Sequence, residues 1–415
     1  MTLRIDADRL RADIEELGGL GRVAAGGISR TSFGDADLRA REWYLRRCAE
    51  AGLRVETDGL GTMVVRGPGD DGSAPAVWSG SHIDTVPNGG RLDGALGSLA
   101  ALECLRTLVE AGVDLPHPVR AVVFSDEEGN YDHLLGSVGV RRGYTLEQLS
   151  ALRGRDGDRL VDRLAELGWD VDAATRTAID PAGVLSFVEL HIEQGPNLEA
   201  EGIDIGVVTS IVGIGGAMVE FAGAADHAGT TPMGRRKDAL LAASDFLLSL
   251  PALAAGVDPA AVVTCGIIGV EPGGSNIVPG RARLTLDFRS PDAGRLRELA
   301  AALEARAGEV ADAHGIEVSF SPDTLVEPVA LDEGVRGVIA DAVDALGLTR
   351  TDLPSGAGHD SQNLAWLAPT GMIFVPSIGG KSHTPEEDTS WGDIANGANA
   401  LLQTLLTLAG SGHSG

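Results

Sequence analysis

Residues 119–134 read V-R-A-V-V-F-S-D-E-E-G-N-Y-D-H-L, and this stretch decides the fold. Apart from Arg120, its first six positions are an apolar run, rich in valine, of the length of a buried strand. The run leads without a break into three acids, Asp126, Glu127 and Glu128. Three other short apolar runs do the same. Residues 76–79 lead into G-S-H-I-D-T, residues 184–190 into H-I-E-Q-G, and residues 372–375 into P-S-I-G-G-K-S-H-T-P-E-E-D. In open α/β sheets, sites gather beyond the carboxyl ends of the strands. Four segments far apart in sequence are therefore expected to converge on one edge of one sheet.

Around these runs, strand and helix patterns alternate from residue 1 to about 210, as in a layered α/β domain. Asp6 is placed to cap a first helix. A second helix is expected from Asp35 to about residue 51, with Gly52 as its stop. The middle, about 212–324, has another texture. It reads strand (217–221), helix (235–250), strand (261–270), strand (281–288), helix (295–313) and strand (316–320). That βαββαβ order is the pattern of a ferredoxin-like α/β sandwich with an antiparallel sheet. The first pattern then resumes. The expectation is an α/β fold: a three-layer catalytic domain with a mixed, mostly parallel sheet (1–211 and 325–415), interrupted by an inserted domain (212–324). The terminal G-S-G-H-S-G is expected to be a frayed tail.

The composition of the 415-residue chain fits two domains with a sizeable core: 43% of residues are apolar and 22% charged. With 33 basic and 60 acidic side chains the net charge is −27. Such a surface repels phosphate backbones and anionic lipid, so neither nucleic acid nor membrane is expected as a partner. Three cysteines, Cys48, Cys104 and Cys265, form no disulfide or zinc spacing. With a charged, amphipathic start in place of a signal peptide, they point to a cytoplasmic protein. No run of 18 apolar residues stands out as a membrane span.

The loops carry the chemistry. His82 has Asp84 two residues on, placed to hold the other nitrogen of a metal-bound imidazole or to act on a neighbouring ligand. Alone, an H-x-D is as readily an ordinary turn. Asp93 lies among glycines that let the backbone approach a ligand; it could also cap the helix that follows. Adjacent Glu127 and Glu128 repel each other at the end of a buried strand, a cost that cations would remove. One can ligate while the other takes a proton from the attacking water, whose pKa a metal lowers. His191 and Glu193 follow the third strand, and His383 lies behind two glycines near the end. Imidazole mixed with carboxylate suits zinc, and also manganese, cobalt or nickel. Asp93 is the natural bridge between two ions, because a carboxylate can bind through both oxygens.

The order H-x-D, D, E-E, H-x-E and a late H resembles the co-catalytic metallopeptidase clan of carboxypeptidase G and aminoacylase. Within it, the chain is most similar to the hydantoinase/carbamoylase family: N-carbamoyl-L-amino acid hydrolases, β-ureidopropionases and allantoate amidohydrolases. The strings that carry the resemblance are GSHIDTVPNGGRLDGALG, SDEEG, ELHIEQGPNLE, DHAGTTPMGRRKDA, NIVPGRARLTLDFR, SGAGHDSQ and SHTPEED, from residue 80 to 388. The resemblance implies two divalent ions per subunit. His82 and His191 would hold one, Glu128 and His383 the other, and Asp93 would bridge them. It implies Glu127 as general base and Asp84 as the orienting acid. His227, in the inserted domain, would polarise the scissile carbonyl, Asn276 and Arg289 would bind a substrate carboxylate, and Gln194 would be a polar contact beside the ions. The inserted domain would serve as lid and dimerisation domain of a homodimer, with His227 supplied by the partner subunit. An arginine is a good bidentate clamp for a carboxylate, although Arg289 alone could be a surface charge on a strand. With the ligands assigned, the loop around Gly358 and His359 is expected to line the pocket; His117, His133, His314 and His413 are expected to be solvated.

The reaction implied is metal-dependent hydrolysis of a ureido or amide C–N bond in a small carboxylate-bearing molecule. An N-carbamoyl-L-amino acid would give the amino acid, carbon dioxide and ammonia. Allantoate, ureidoglycolate, β-ureidopropionate, N-acyl amino acids and dipeptides are alternatives within the clan, as is a single-ion enzyme. A non-catalytic metal-binding protein would lack the base or a ligand, and none is missing here. One departure stands out. The family string E-E-G-S-R-F is replaced by Glu127-Glu128-Gly129-Asn130-Tyr131-Asp132-His133, beside the expected metals, which leaves substrate preference open.

Overall fold

In a computed structural model of the chain, residues 2–177 and 179–410 are described. They include strands β1 (Arg54–Thr57), β2 (Met63–Arg66), β3 (Ala76–His82), β4 (Val119–Phe124), β5 (Val184–Ile192), β6 (Ile205–Ile211), β7 (Gly213–Ala222), β8 (Asp226–His227), β9 (Val262–Glu271), β10 (Ile277–Val278), β11 (Arg281–Ser290), β12 (Glu317–Val326), β13 (Val329–Ala330), β14 (Arg350–Ser355) and β15 (Thr370–Val375). His413 and the tail beyond residue 410 lie outside the described residues. The chain divides into two compact units, one of residues 1–209, 330–353 and 357–415, the other of residues 210–329 and 354–356.

The first unit is built on a nine-stranded sheet in the order β1-β2-β4-β3-β5-β15-β6-β13, with β14 paired to β6. Its centre, β4-β3-β5-β15, is parallel, while β1-β2, β2-β4 and β6-β15 are antiparallel. Alternate residues of these strands feed two apolar cores. Val77, Val119, Ala121, Val123, Val188 and Leu190 pack with helices Ala7–Leu17, Ala95–Glu110 and Trp391–Gly410. Trp78, Val122, Phe124 and Phe187 pack on the other face with Val140 and Leu364. Burial on both faces is what a near-continuous apolar strand requires, and the result is the three-layer α/β architecture expected. Asp6 caps the first helix by accepting from the Arg9 N–H, and helix Asp35–Glu50 ends before Gly52 at φ +69°.

The expected strand runs are extended at the end that matters. β3 continues to His82 and β5 to Ile192, so His82 and His191 are the last or next-to-last strand residues and not loop residues. Parallel register sets His82 beside Phe124 and His191 beside Phe374. Hydrogen bonding of the sheet ladder therefore places the imidazoles, with no reliance on loop conformation.

The second unit holds a four-stranded antiparallel sheet, β12-β7-β11-β9, and a two-stranded ribbon of β8 and β10. Helices Ala239–Val257 and Ala293–His314 pack through Phe246, Leu250, Leu299 and Leu303 on Val219, Phe221, Leu284 and Phe288. Helix Ala239–Val257 is long and apolar enough to cross a bilayer by composition. One of its faces lies in this core, and its Asp245 pairs with His314 at 2.6 Å.

Candidate active site

At the carboxyl edge of the parallel strands, Asp93 is the hub. Its Oδ1 lies 3.6 Å from His82 Nε2 and 3.2 Å from His191 Nε2; its Oδ2 lies 3.2 Å from His383 Nε2. Glu128 Oε1 is 3.5 Å from the same His383 nitrogen and is buried without a hydrogen-bond partner. The candidate ligand atoms of His82, Asp93 and His191 all lie within 4.8 Å of one another, and so do those of Asp93, Glu128 and His383. Glu127 Oε2 stands 3.6 Å from His82 Nε2.

The imidazoles are held in the form that binds cations. His82 Nδ1 lies 3.1 Å from the Asp84 carbonyl oxygen, and His191 Nδ1 lies 2.9 Å from that of Ile192. A carbonyl accepts only, so Nδ1 carries a hydrogen and each Nε2 is the nitrogen turned towards Asp93; that of His191 also accepts from the Gly94 N–H at 3.1 Å. The chain thus concentrates three imidazoles and three buried or nearly buried carboxylates in one place. That donor set, with an orphaned carboxylate oxygen in it, fits divalent cations.

The charges respond as such a cluster must. Burial opposes ionisation of Asp93, but His191, His383 and His82 outweigh it and hold its carboxyl well below the usual range. Burial pushes Glu127 well up, with the charges of Glu128, Asp360 and Asp93 adding to it. Glu128 is pushed up to about 7, by burial first and then by Asp93. His383 is raised to about 9, chiefly by its bond to Asp93. In the metal-free cluster, burial and the neighbouring carboxylates therefore favour the protonated form of Glu127.

Local backbone is committed to this arrangement. Gly94 has φ +64°, and a Cβ there would come within 2.2 Å of His82 Nε2. Gln194 and His383, both non-glycine, take φ +59° and +56°, a cost that concentrates at functional sites. Asp84 ties loops together. Its carbonyl holds His82, and its carboxylate accepts from the backbone N–H groups of Glu127 and Glu128. Asp93 does not cap the following helix with its side chain. Its Oδ2 accepts from Gln194 Nε2 at 2.8 Å and Ser382 Oγ at 3.0 Å. Glu193, read with His191 as part of the pattern, turns away to accept from Asn197 and Leu198 at the start of helix Asn197–Glu201.

Some supports were not singled out in the sequence. Glu387 accepts from the N–H groups of Leu92 and Asp93 and from Ser382, fixing the Asp93 loop. Its signal in the sequence is the second acid of S-H-T-P-E-E-D, four residues after His383. Buried Glu189, beneath His191, accepts from Ser81 and Ser361. Fully buried Arg30 donates to the carbonyls of Leu17, Leu20 and Ile83 and so clamps the loop between His82 and Asp84. His359 meets His191 edge-on, with ring centroids 4.6 Å apart and planes at 65°, beside Gly358. His133 is not merely solvated: its Nδ1 bonds the Glu127 carbonyl at 2.6 Å.

The second unit holds the other three sequence candidates. His227 and Asn276 come together where β8 pairs β10: Ile277 faces His227, and the Asn276 carbonyl accepts from Ala228 N–H. His227 Nδ1 accepts from the N–H groups of Gly229 and Thr230, which leaves the ring hydrogen on exposed Nε2. Arg289 is elsewhere. It sits at the opposite end of β11, and roughly 26 Å of strand separate it from Arg281 beside the ribbon. Its guanidinium pairs with both Asp287 oxygens and donates to the Gly356 carbonyl. One chain therefore does not present Arg289 and Asn276 to one small molecule.

Layered α/β sheet, histidine–carboxylate edge and inserted βαββαβ unit together define a metal-dependent hydrolase. Residues 78–407 match Peptidase family M20/M25/M40. The chain is 37% identical over 414 residues to an N-carbamoyl-L-amino-acid amidohydrolase of Paenarthrobacter aurescens, covering 98% of this chain and 100% of that one. It is 35% identical to the allantoate amidohydrolase of Escherichia coli (strain K12), covering 96% and 98%. A crystal structure of a hydantoinase/carbamoylase family amidase from Burkholderia multivorans superposes with a TM-score of 0.90 at 35% identity, over 99% of both chains. The chain belongs to Peptidase family M20/M25/M40, and its fold is that of the hydantoinase/carbamoylase amidases within it.

Proposed function

We propose that this chain is an N-carbamoyl-L-amino acid hydrolase carrying two divalent ions, with zinc the first candidate and manganese, cobalt or nickel the others. The observation that carries the reading is the Asp93 hub: two sets of ligand atoms share one carboxylate, while Glu127 belongs to neither set and stands 3.6 Å from His82. His82 and His191 would hold one ion, Glu128 and His383 the other, with Asp93 common to both. Bound there, the ions polarise the substrate carbonyl and lower the pKa of the attacking water.

The chain's own residues do the rest. Glu127 takes a proton from the water as its oxygen bonds to the carbamoyl carbon. His227 Nε2–H donates to the oxygen on which negative charge develops, and its tautomer is already set by Gly229 and Thr230. Glu127 then returns the proton to the amino acid nitrogen as the C–N bond breaks. The carbamic acid released falls apart to carbon dioxide and ammonia. Asn276 and Arg289 bind the substrate carboxylate, and Gln194, bonded to Asp93, contacts the substrate beside the ions. Since Arg289 and Asn276 stand at opposite ends of β11, a complete site draws them from two copies. The inserted unit is then both lid and dimer contact, and the working form is a homodimer in the cytoplasm with a small-molecule substrate.

Allantoate, ureidoglycolate and β-ureidopropionate carry the same ureido group, and the Asn130–His133 departure bears on the choice among them. A panel of N-carbamoyl, ureido and N-acyl substrates, read by ammonia release and amino acid release, tests the reading. Ammonia and free L-amino acid in equal amounts are expected from N-carbamoyl-L-amino acids. Turnover confined to N-acyl or dipeptide substrates contradicts it.

A further inference from the structure

The loop that departs from the family string is built as a rigid support for one side chain. Asp126, at φ +55°, accepts from the N–H groups of Asn130, Tyr131 and Asp132 at 2.7, 2.8 and 3.1 Å. Asn130 Nδ2 reaches the Ser32 carbonyl, and Tyr144 donates to the Asp132 carboxylate. Backbone and side chains on both sides therefore fix where His133 emerges. Its Nδ1 lies 2.6 Å from the carbonyl of Glu127, the proposed base. A carbonyl cannot donate, so Nδ1 bears the hydrogen and the Nε2 of the neutral ring is a lone pair.

The free nitrogen has a definite address. A Cβ placed on Gly358 would lie 3.0 Å from His133 Nε2 and 3.2 Å from Gln362 Oε1. Gly358 adjoins His359, whose ring packs edge-on against the candidate ligand His191. The absence of a side chain at 358 keeps open the space in front of Nε2, between the base loop and the ligand row. The ring's hydrogen bond among the described residues is the one at Nδ1, and the side chain is exposed.

We propose that His133 Nε2 is a specificity-determining acceptor for the –NH2 of a ureido substrate. This rests on the ureido reading above and deepens it. A carbamoyl group differs from an acetyl group by –NH2 in place of –CH3, at nearly equal size. An imidazole lone pair accepts a hydrogen bond from the first and faces a methyl in the second. A site built to bond a substrate N–H rejects the analogue that lacks it far more strongly than an apolar pocket separates two shapes.

The experiment compares kcat/KM for the N-carbamoyl and N-acetyl derivatives of one L-amino acid, in the metal-loaded wild-type protein and in His133→Phe and His133→Gln. Metal content is measured alongside. His133→Phe keeps a ring but removes the acceptor, and the carbamoyl-over-acetyl preference is expected to fall about 10- to 100-fold. His133→Gln restores an acceptor and most of the preference; should the Phe variant not fold, His133→Leu removes the acceptor in its place. A preference within about twofold of wild type in an acceptor-free variant, or a loss in His133→Gln as deep as in that variant, overturns the inference while ureido hydrolysis stands. Wild-type protein that cleaves N-acetyl but no N-carbamoyl substrate overturns the ureido reading itself, and this inference with it.

Discussion

The two regions that carry this protein's chemistry are built in opposite ways. At the edge of the nine-stranded sheet, Asp93, His82 and His191 are buried, and each imidazole has its hydrogen fixed by a backbone carbonyl. On the four-stranded unit, His227 and Asn276 are exposed on a short ribbon, and Arg289 sits at the far end of β11. The first region spends burial energy to concentrate like charges, which is useful only if cations neutralise them. The second keeps its donors in water, with their geometry set locally. Reaction chemistry should therefore fail in the first region by loss of metal or base, and in the second with the metal intact.

The largest effect should come from Glu127→Gln. The amide keeps shape but cannot take the proton, so kcat is expected to fall about a thousandfold with metal content unchanged. Steady-state kinetics with metal analysis checks this; wild-type turnover would remove Glu127 as base. His227→Ala is expected to lower kcat about a hundredfold, again with full metal content. Metal loss in that variant would erase the contrast between the regions. Gly94→Ala should act the other way. Its Cβ would meet His82 Nε2 at 2.2 Å at a left-handed φ, so metal affinity should drop before any substrate-binding effect appears, at a stability cost of roughly 1–3 kcal/mol. Isothermal titration with zinc reads it directly.

Arg289→Lys should be milder, raising KM for carboxylate substrates roughly tenfold with little change in kcat, because the two-pronged contact is lost. An unchanged KM takes Arg289 out of the site. The smallest effect concerns the metal-free protein. Asp360 is pushed up to about 8, by burial and then by Glu189, and Glu128 to about 7. Both sit above their unfolded values, so both destabilise the fold at high pH, and the penalty is relieved as pH falls through those values. Chelated protein should then melt higher at about pH 6 than at about pH 8.5, by roughly 2–4 °C. Metal-loaded protein should show the reverse, because protons compete with cations for the same ligands. Parallel melting curves would show whether the two slopes differ in sign.

Legibility in the sequence follows the same division. Strand runs that end in acids and histidines identify the sheet edge, because burial on both faces leaves an apolar signature and the acids interrupt it abruptly. The βαββαβ order of the second unit is equally plain, since each helix keeps its apolar spacing. What the sequence does not carry is reach across the fold. Glu387 lies beside Asp93 although 294 positions separate them, and Arg30 clamps a loop 53 positions away. Nothing local distinguishes them from surface charges. In the sequence His133 is a solvated loop histidine; only the folded loop turns it towards Gly358. The distance between Asn276 and Arg289 along β11 was implicit in the strand length but becomes decisive only once the register is known.

Metal stoichiometry tests the Asp93 hub most directly. Chelated protein titrated with zinc, with bound metal counted and activity on an N-carbamoyl-L-amino acid followed at each step, should take up two ions per chain. Asp93→Ala should abolish both uptake events, since both ligand sets share that carboxylate. Full activity at one ion per chain, or an Asp93→Ala protein that still binds two, would contradict it.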